Sequence, residues 1–345
     1  MRTINYRFQG HLSDKIGENS RDTPDGCPTY LGALFNEFQS QGFEIHCPNK
    51  DKDAEDFKSL GKGIFKTFMQ SQRVRSYEQI KFESFSDSAA MSIFEWRWII
   101  YNKPESRKDW EDQYSLIVHS CLGAIPVYIF DLDHKLDFHD EKYLSYLEKQ
   151  YGTRIKVIET SHFPEKKLLE RISVPIPCWN FFFNEKPAKE KEFDLGYIGN
   201  DYERAETILK HIIPAVDSGI NMQIAGKWTH NFRKDSIKWH GRVGIPDFNG
   251  IYQNSVGVPL MAKPSYYESG FVTARLHESL QFGSVPIGFK EHKGLHKEIP
   301  AVLIVDNLSE LRWVIQYIKD SKYLREDVWN KVVENHSPKK FISCL

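Results

Sequence analysis

Gly270-Phe-Val-Thr-Ala-Arg-Leu-His-Glu-Ser-Leu-Gln-Phe-Gly-Ser-Val-Pro-Ile-Gly-Phe289 decides the fold class. A short polar approach leads into a helix carrying Arg275, His277 and Glu278. Gly283 stops that helix, and the apolar run from Val285 to Phe289 reads as a buried strand. A helix delivered into a continuously apolar strand belongs to an α/β fold with a parallel sheet. A cation and a carboxylate in the first turns of a helix, at the mouth of such a sheet, suit a nucleotide. The helix N-terminus and Arg275 hold phosphate oxygens, and Glu278 accepts from ribose hydroxyls. Charges on the solvated face of an ordinary helix fit the same spacing.

The alternation continues outward. In the second half, residues 193–198 read as a strand, followed by the loop Gly199-Asn-Asp201 and a helix over 203–216. Further strands are expected at 221–225, 237–240, 256–261 and 301–305, with a last helix at 308–319. The first half opens with a strand at 5–8 and a polar loop at 10–28. Thr29 then caps a helix whose Leu31, Leu34, Phe35 and Phe38 share one face until Gly42 ends it. Strands follow at 43–47, 92–98, 125–130 and 154–159, with a charged helical stretch at 51–81 and a helix at 114–122. Between the halves, 174–191 is proline-rich and then charged, as inter-domain linkers are. The fold class expected is α/β, with two Rossmann-like doubly wound domains facing across a cleft. The boundaries are 1–178, a linker at 179–192, and 193–345, the last helix packing back on the first domain.

A length of 345 residues suits two domains, and 40% apolar residues suffice for two cores. The net charge of -1 provides no global basic field for nucleic acid, which leaves only local patches for that purpose. One such tract, Lys58, Lys62, Lys66, Arg73, Arg75 and Lys81 with Phe65, Phe68 and Tyr77 interleaved, suits phosphate tracking or a solvated helix face. Cys27, Cys47, Cys121, Cys178 and Cys344 form no CxxC pair, which argues against a zinc knuckle or disulfide framework and for a reducing cytoplasm. No apolar run reaches the roughly 18 residues of a membrane span, and residues 1–8 lack a signal-peptide core. No membrane association is expected.

Other constellations lie around the cleft. Asp131 and Asp133 flank the end of a central strand, where open α/β sheets face their crevice. Either suits a general base, or a turn cap and a surface pair with Lys135. Glu95-Trp-Arg-Trp98 puts a carboxylate, the Arg97 guanidinium and two indoles at another strand end. They would line an acceptor pocket or pack as a buried Arg–Glu pair. The turn-forming loop 20–26 offers Asp22 and Asp25 to a sugar or acceptor.

The order of motifs carries a resemblance. It runs Gly196-Tyr-Ile-Gly199 before a helix with Arg204, then Gln223-Ile-Ala-Gly226, His240-Gly-Arg-Val-Gly244, Arg275-x-x-Glu278 and Gly283-x-Val-Pro-Ile287. This order resembles the nucleotide-binding half of GT-B glycosyltransferases. More narrowly, it is similar to the DNA β-glucosyltransferases of T-even bacteriophages. The resemblance implies a UDP-sugar donor and a nucleotide-sugar-binding second domain. Gly199 and Arg204 would sit at the diphosphate, and Arg242 would lie along the base. The Val243 main chain would bond uracil, Arg275 would bind phosphate, and Glu278 the ribose. That family has two arginines around the Gly199 turn, whereas here Asn200 and Asp201 occupy the earlier positions. The family's base follows a Phe at a strand end, a slot that Asp133 fits best, with Asp131 the rival. The implied acceptor is the hydroxymethyl group of a modified pyrimidine in double-stranded DNA, bound without sequence preference by a monomer. A carbohydrate acceptor and a non-catalytic nucleotide-sugar or DNA-binding module are the alternatives. No metal is expected to be obligatory, since arginines can neutralise the leaving diphosphate. A divalent cation would at most stimulate.

Overall fold

The structure is a computed structural model. It describes residues 2–7, 29–47, 84–96, 104–131, 134, 136–164, 167–177, 190–229, 232, 234–241, 243 and 245–345. The first sheet has the order β2-β1-β3-β4-β5-β6. Its strands are β1 (Arg2–Arg7), β2 (Phe43–His46), β3 (Met91–Trp96), β4 (Val127–Asp131), β5 (Ile155–Glu159) and β6 (Glu170–Ser173). The second has the order β12-β11-β10-β7-β8-β9. It comprises β7 (Phe193–Ile198), β8 (Met222–Ala225), β9 (Ile237–Trp239), β10 (Ser255–Pro259), β11 (Val285–Phe289) and β12 (Ile304–Val305). Every described strand pairing is parallel.

The described helices are α1 (Thr29–Ser40), α2 (Pro104–Leu122), α3 (Phe138–Tyr151), α4 (205–217), α5 (Ile245–Tyr252), α6 (Pro264–Ser269), α7 (Arg275–Gln281), α8 (Leu308–Asp320), α9 (Leu324–Asn335) and α10 (Pro338–Ser343). Two doubly wound parallel sheets of this kind make the GT-B architecture. The strand order reverses between β1 and β3 in the first sheet and between β7 and β10 in the second. Crevices for ligands open at these reversals.

Several elements differ from expectation for local reasons. Helix α2 begins at Pro104, not near 114, because its first half is polar and shows no apolar stripe. The edge strand β6 was not foreseen, as ERIS is short and polar, with both ends exposed. Residues 301–303 form a 3-10 turn, so only 304–305 pair as a strand. The helix at 308 is followed by two more, α9 and α10. The stretch 51–81, with its basic tract, lies outside the described residues.

The second half is held by one large core, in which Leu195, Ile224, Leu276, Ile287 and Val314 meet. The first sheet has a core on each face. One of these takes in Phe341 and Ile342 of α10, so the chain's end returns to the first sheet. The Phe341 ring lies 5.0 Å from Phe130, and the Tyr128 hydroxyl donates to the Leu345 carbonyl.

Candidate donor and acceptor site

The site is built at the β7/β10 reversal. Strand β7 ends at Ile198, and Gly199 turns the chain with φ +153. The turn is clasped by the exit of β8. Gly199 N donates to Ala225 O (2.8 Å), the Trp228 indole donates to Gly199 O (2.8 Å), and Gly226 packs so closely that a Cβ there would lie 2.1 Å from Gly199 O. Asn200 accepts from Lys227 N (2.8 Å) and Asp201 from Thr229 N (2.7 Å). Asn200 and Asp201 therefore stitch this loop to its neighbour.

Arg275, at the start of α7, lies directly over Gly199. Its Nε donates to Ile198 O (2.7 Å), and its guanidinium sits 5.0 Å from the Tyr197 ring centre. A Cβ on Gly199 would come within 2.4 Å of Arg275 Nη2, so the glycine is what admits the arginine. Burial works against the charge of Arg275, but Tyr197, Tyr252 and Glu278 outweigh it and raise its pKa. Arg204 approaches from the other side of the turn. Its Nε donates to Met261 O (3.3 Å) and its Nη1 to Asn200 O (3.1 Å) and Tyr202 O (2.8 Å). Burial lowers the pKa of Arg204, and nearby Arg275 lowers it further. Two guanidiniums thus share one low-dielectric corner, which favours an anion between them.

Glu278 lies one turn along α7 from Arg275, and burial raises its pKa against the pull of that arginine. The buried hydroxyls of Tyr197 and Tyr252 have no hydrogen-bond partner among the described residues. Sequence reading did not single out these tyrosines, because both look like ordinary strand and helix core positions. On the far side of β8, Gln223 donates to Ile251 O (2.9 Å) and Ser255 Oγ (3.0 Å), leaving its Oε1 for the His240 ring (3.0 Å). Gly241, with φ +65, then turns the chain toward half-buried Val243. Gly199, Arg204, Arg275 and Glu278 are brought together; Arg242 lies outside the described residues.

In the first half, Asp131 is the last residue of β4. It is buried, and its Oδ2 accepts from Leu136 N (3.2 Å), closing the turn beyond the strand. Asp133 falls outside the described residues, as do Asp22, Asp25 and Arg97. His134 has φ +54, and its Nδ1 lies 3.4 Å from Glu159 Oε1. Its ring packs on Tyr266 and Phe271 of the second half, at 5.8 and 5.3 Å between centres. The turn after β4 therefore touches the second half. Glu159 in turn accepts from Arg171 (2.7 Å), which also reaches Glu141 (3.1 Å). This buried network was not foreseen, since its members lie far apart in sequence. Glu95 is fully buried, with its Oε1 accepting from the Tyr6 hydroxyl (2.9 Å). It stands near the carboxyl end of β3, beside the β1/β3 reversal.

Among the described residues no group of three or more His, Cys, Asp or Glu side chains is placed to hold a metal ion, and no helix is long and apolar enough to cross a membrane. No protein-family model matches the chain, and no curated protein matches it. Solved structures do. T4 phage beta-glucosyltransferase in complex with its UDP-glucose substrate aligns with a TM-score of 0.60 at 16% identity, over 100% of this chain and 99% of that one. The DNA-modifying enzyme beta-glucosyltransferase, with and without uridine diphosphoglucose, gives 0.58 at 15% identity over 100% and 99%. Anabaena HepE in complex with UDP gives 0.54 at 11% identity over 99% and 98%. The likeness runs the length of both chains and shows a shared two-sheet fold.

Proposed function

We propose that this chain is a UDP-sugar-dependent glycosyltransferase acting on the hydroxymethyl group of a modified pyrimidine in duplex DNA. The observation that carries the donor half is the pairing of Arg204 and Arg275 around Gly199, with Glu278 one turn away. The arginines take the diphosphate and Glu278 the ribose hydroxyls, while Arg242 and the Val243 main chain meet uracil. Fold likeness to a DNA-modifying glucosyltransferase supports the acceptor.

In the reaction, Asp133 takes the proton of the acceptor hydroxyl as its oxygen attacks the anomeric carbon. The bond from that carbon to the UDP oxygen breaks, and UDP leaves with its new charge facing the two arginines. Asp131, which accepts from Leu136 N, is the supporting carboxylate, and a flipped-out base brings the hydroxyl within reach. Residues 193–345 form the donor domain, and 1–178 the acceptor domain. A carbohydrate acceptor is the second reading, favoured by the net charge of -1.

The test incubates the protein with a panel of UDP-sugars and DNAs containing hydroxymethylcytosine or hydroxymethyluracil, then digests and weighs the nucleosides. A hexose-sized mass gain on either nucleoside is expected. Donor turnover with glycans but none with any DNA would establish the second reading instead. With EDTA, transfer should persist, and complete loss reversed by a divalent cation would assign Asp131-Leu-Asp133 to metal binding.

A further inference from the structure

A buried cluster of a carboxylate and three histidines lies outside the proposed donor corner, at the junction of the two halves. Glu298 follows the 3-10 turn Leu295–Lys297 and is 2% exposed. Its Oε1 meets His162 Nε2 at 2.6 Å, and His162 belongs to the first half, just beyond β5. Its Oε2 meets His336 Nε2 at 2.5 Å, in the link between α9 and α10. The other nitrogen of His336, Nδ1, lies 3.0 Å from Ile176 O and 2.9 Å from His277 Nε2. His277 sits on α7, between Arg275 and Glu278.

We infer that Glu298 is a positioning residue that couples the donor-binding helix to the first half of the molecule, through His336 to His277 on one side and through His162 on the other. One carboxylate thereby sets where α7 stands relative to the acceptor half. A backbone bond beside it, Phe163 N to Ser269 O (2.9 Å), and the close approach of His162 to Gly270 bring loop 160–164 against the segment that leads into α7. Charge-assisted bonds buried this deeply are stronger than surface pairs and hold a narrow geometry. Burial would push the Glu298 carboxyl up, but the bonds from His162 and His336 hold it well below the usual carboxylate range. That direction agrees with an ionised link.

The kinetic part of this inference rests on the proposed glycosyl transfer; the structural part does not. Amide hydrogen exchange is measured first, on the full chain without ligand. In Glu298→Gln, of equal size, exchange should rise about tenfold in both 160–164 and 275–281, with β4 and β10 unchanged. In His162→Ala, which removes only the arm to the first half, it should rise in 160–164 alone. Equal exchange to the parent in both variants overturns the inference, and so does a uniform rise across both sheets in both variants. Calorimetry with UDP and transfer assays form the second arm. His162→Ala should keep UDP affinity within about threefold and lose about tenfold in kcat, as a coupling defect and not a binding defect. Unchanged kcat there also overturns it. A parent protein that binds no UDP would instead remove the proposed donor, leaving the exchange result to decide the coupling on its own.

Discussion

Gly199 shows how a single missing side chain admits a buried arginine. Its φ of +153 is open to glycine and strained for other residues, and its Cα faces the Arg275 guanidinium. Gly199→Ala should therefore displace Arg275, cost about 1–3 kcal/mol in strain, and weaken UDP binding by about tenfold or more. Calorimetry decides, and an alanine variant that binds UDP like the parent would mean the diphosphate lies elsewhere. Glu278→Ala should remove charge-assisted bonds to the ribose worth roughly 1.5–3 kcal/mol, read as a UDP affinity loss with the fold intact. Asp133→Asn should leave UDP affinity unchanged, because the donor corner is in the other half, yet reduce transfer about 10²–10⁴-fold. If Asp131→Asn proves the more damaging of the two, their roles are exchanged. Asn200 and Asp201 hold the loop through the backbone amides of Lys227 and Thr229, a role that no motif in the sequence announces.

At the scale of elements, α10 belongs by sequence to the second half and by packing to the first. Phe341 is 2% exposed within the first sheet's core, beside Phe130. Phe341→Ala should cost about 3–5 kcal/mol, the usual loss for a buried Phe. Urea unfolding followed by exchange should show β1 and β4 losing protection before β7 and β10. Equal loss in both sheets would show that the tail does not serve the first core preferentially. Strands with continuous apolar runs were legible in the sequence because burial on both faces leaves no polar alternation, as in β4, β7, β10 and β11. Short or polar elements were not: β6 pairs through its backbone, and the first half of α2 has no stripe. Helix α4 was foreseen but not its shape. Pro214 supplies no N–H, and the helix widens just before it, with Ile213 N bonding Ile208 O in a π turn over Ile208–Ile212. The residues that meet around Gly199 were legible because they cluster along the sequence, around 199–204 and 275–278. The Glu159 and Glu298 networks were not, because tertiary packing alone gathers their members: Glu141, Glu159 and Arg171 within the first half, and Glu298 with His336 of its own half and His162 of the other.

At the scale of the molecule, the junction is built from histidines, and this makes its stability depend on acid. Burial pulls the His292 pKa down to about 4 against the help of the Phe271 carbonyl, with His162 adding to the fall. Burial also holds His277 well below the ordinary histidine value, with His336 next to it acting the same way. Glu298 remains ionised across the same range. Both depressed groups bind their protons more weakly in the folded state than in the unfolded one, so the unfolded chain takes up more protons as pH falls. Their stability contribution is thus complete above the ordinary histidine pKa of 6.5 and declines below it, for His292 down to about 4. For His292 alone, the loss between pH 7 and pH 5 should be roughly 2 kcal/mol, from a pKa gap worth about 1.4 kcal/mol per unit. Urea midpoints measured at pH 7, 6 and 5 should fall steadily in the parent. His292→Gln should fall less by that amount, since a glutamine fills the site without titrating. A variant whose acid loss runs parallel to the parent's would show that His292 stays uncharged for another reason and that the acid sensitivity lies with His277 or elsewhere.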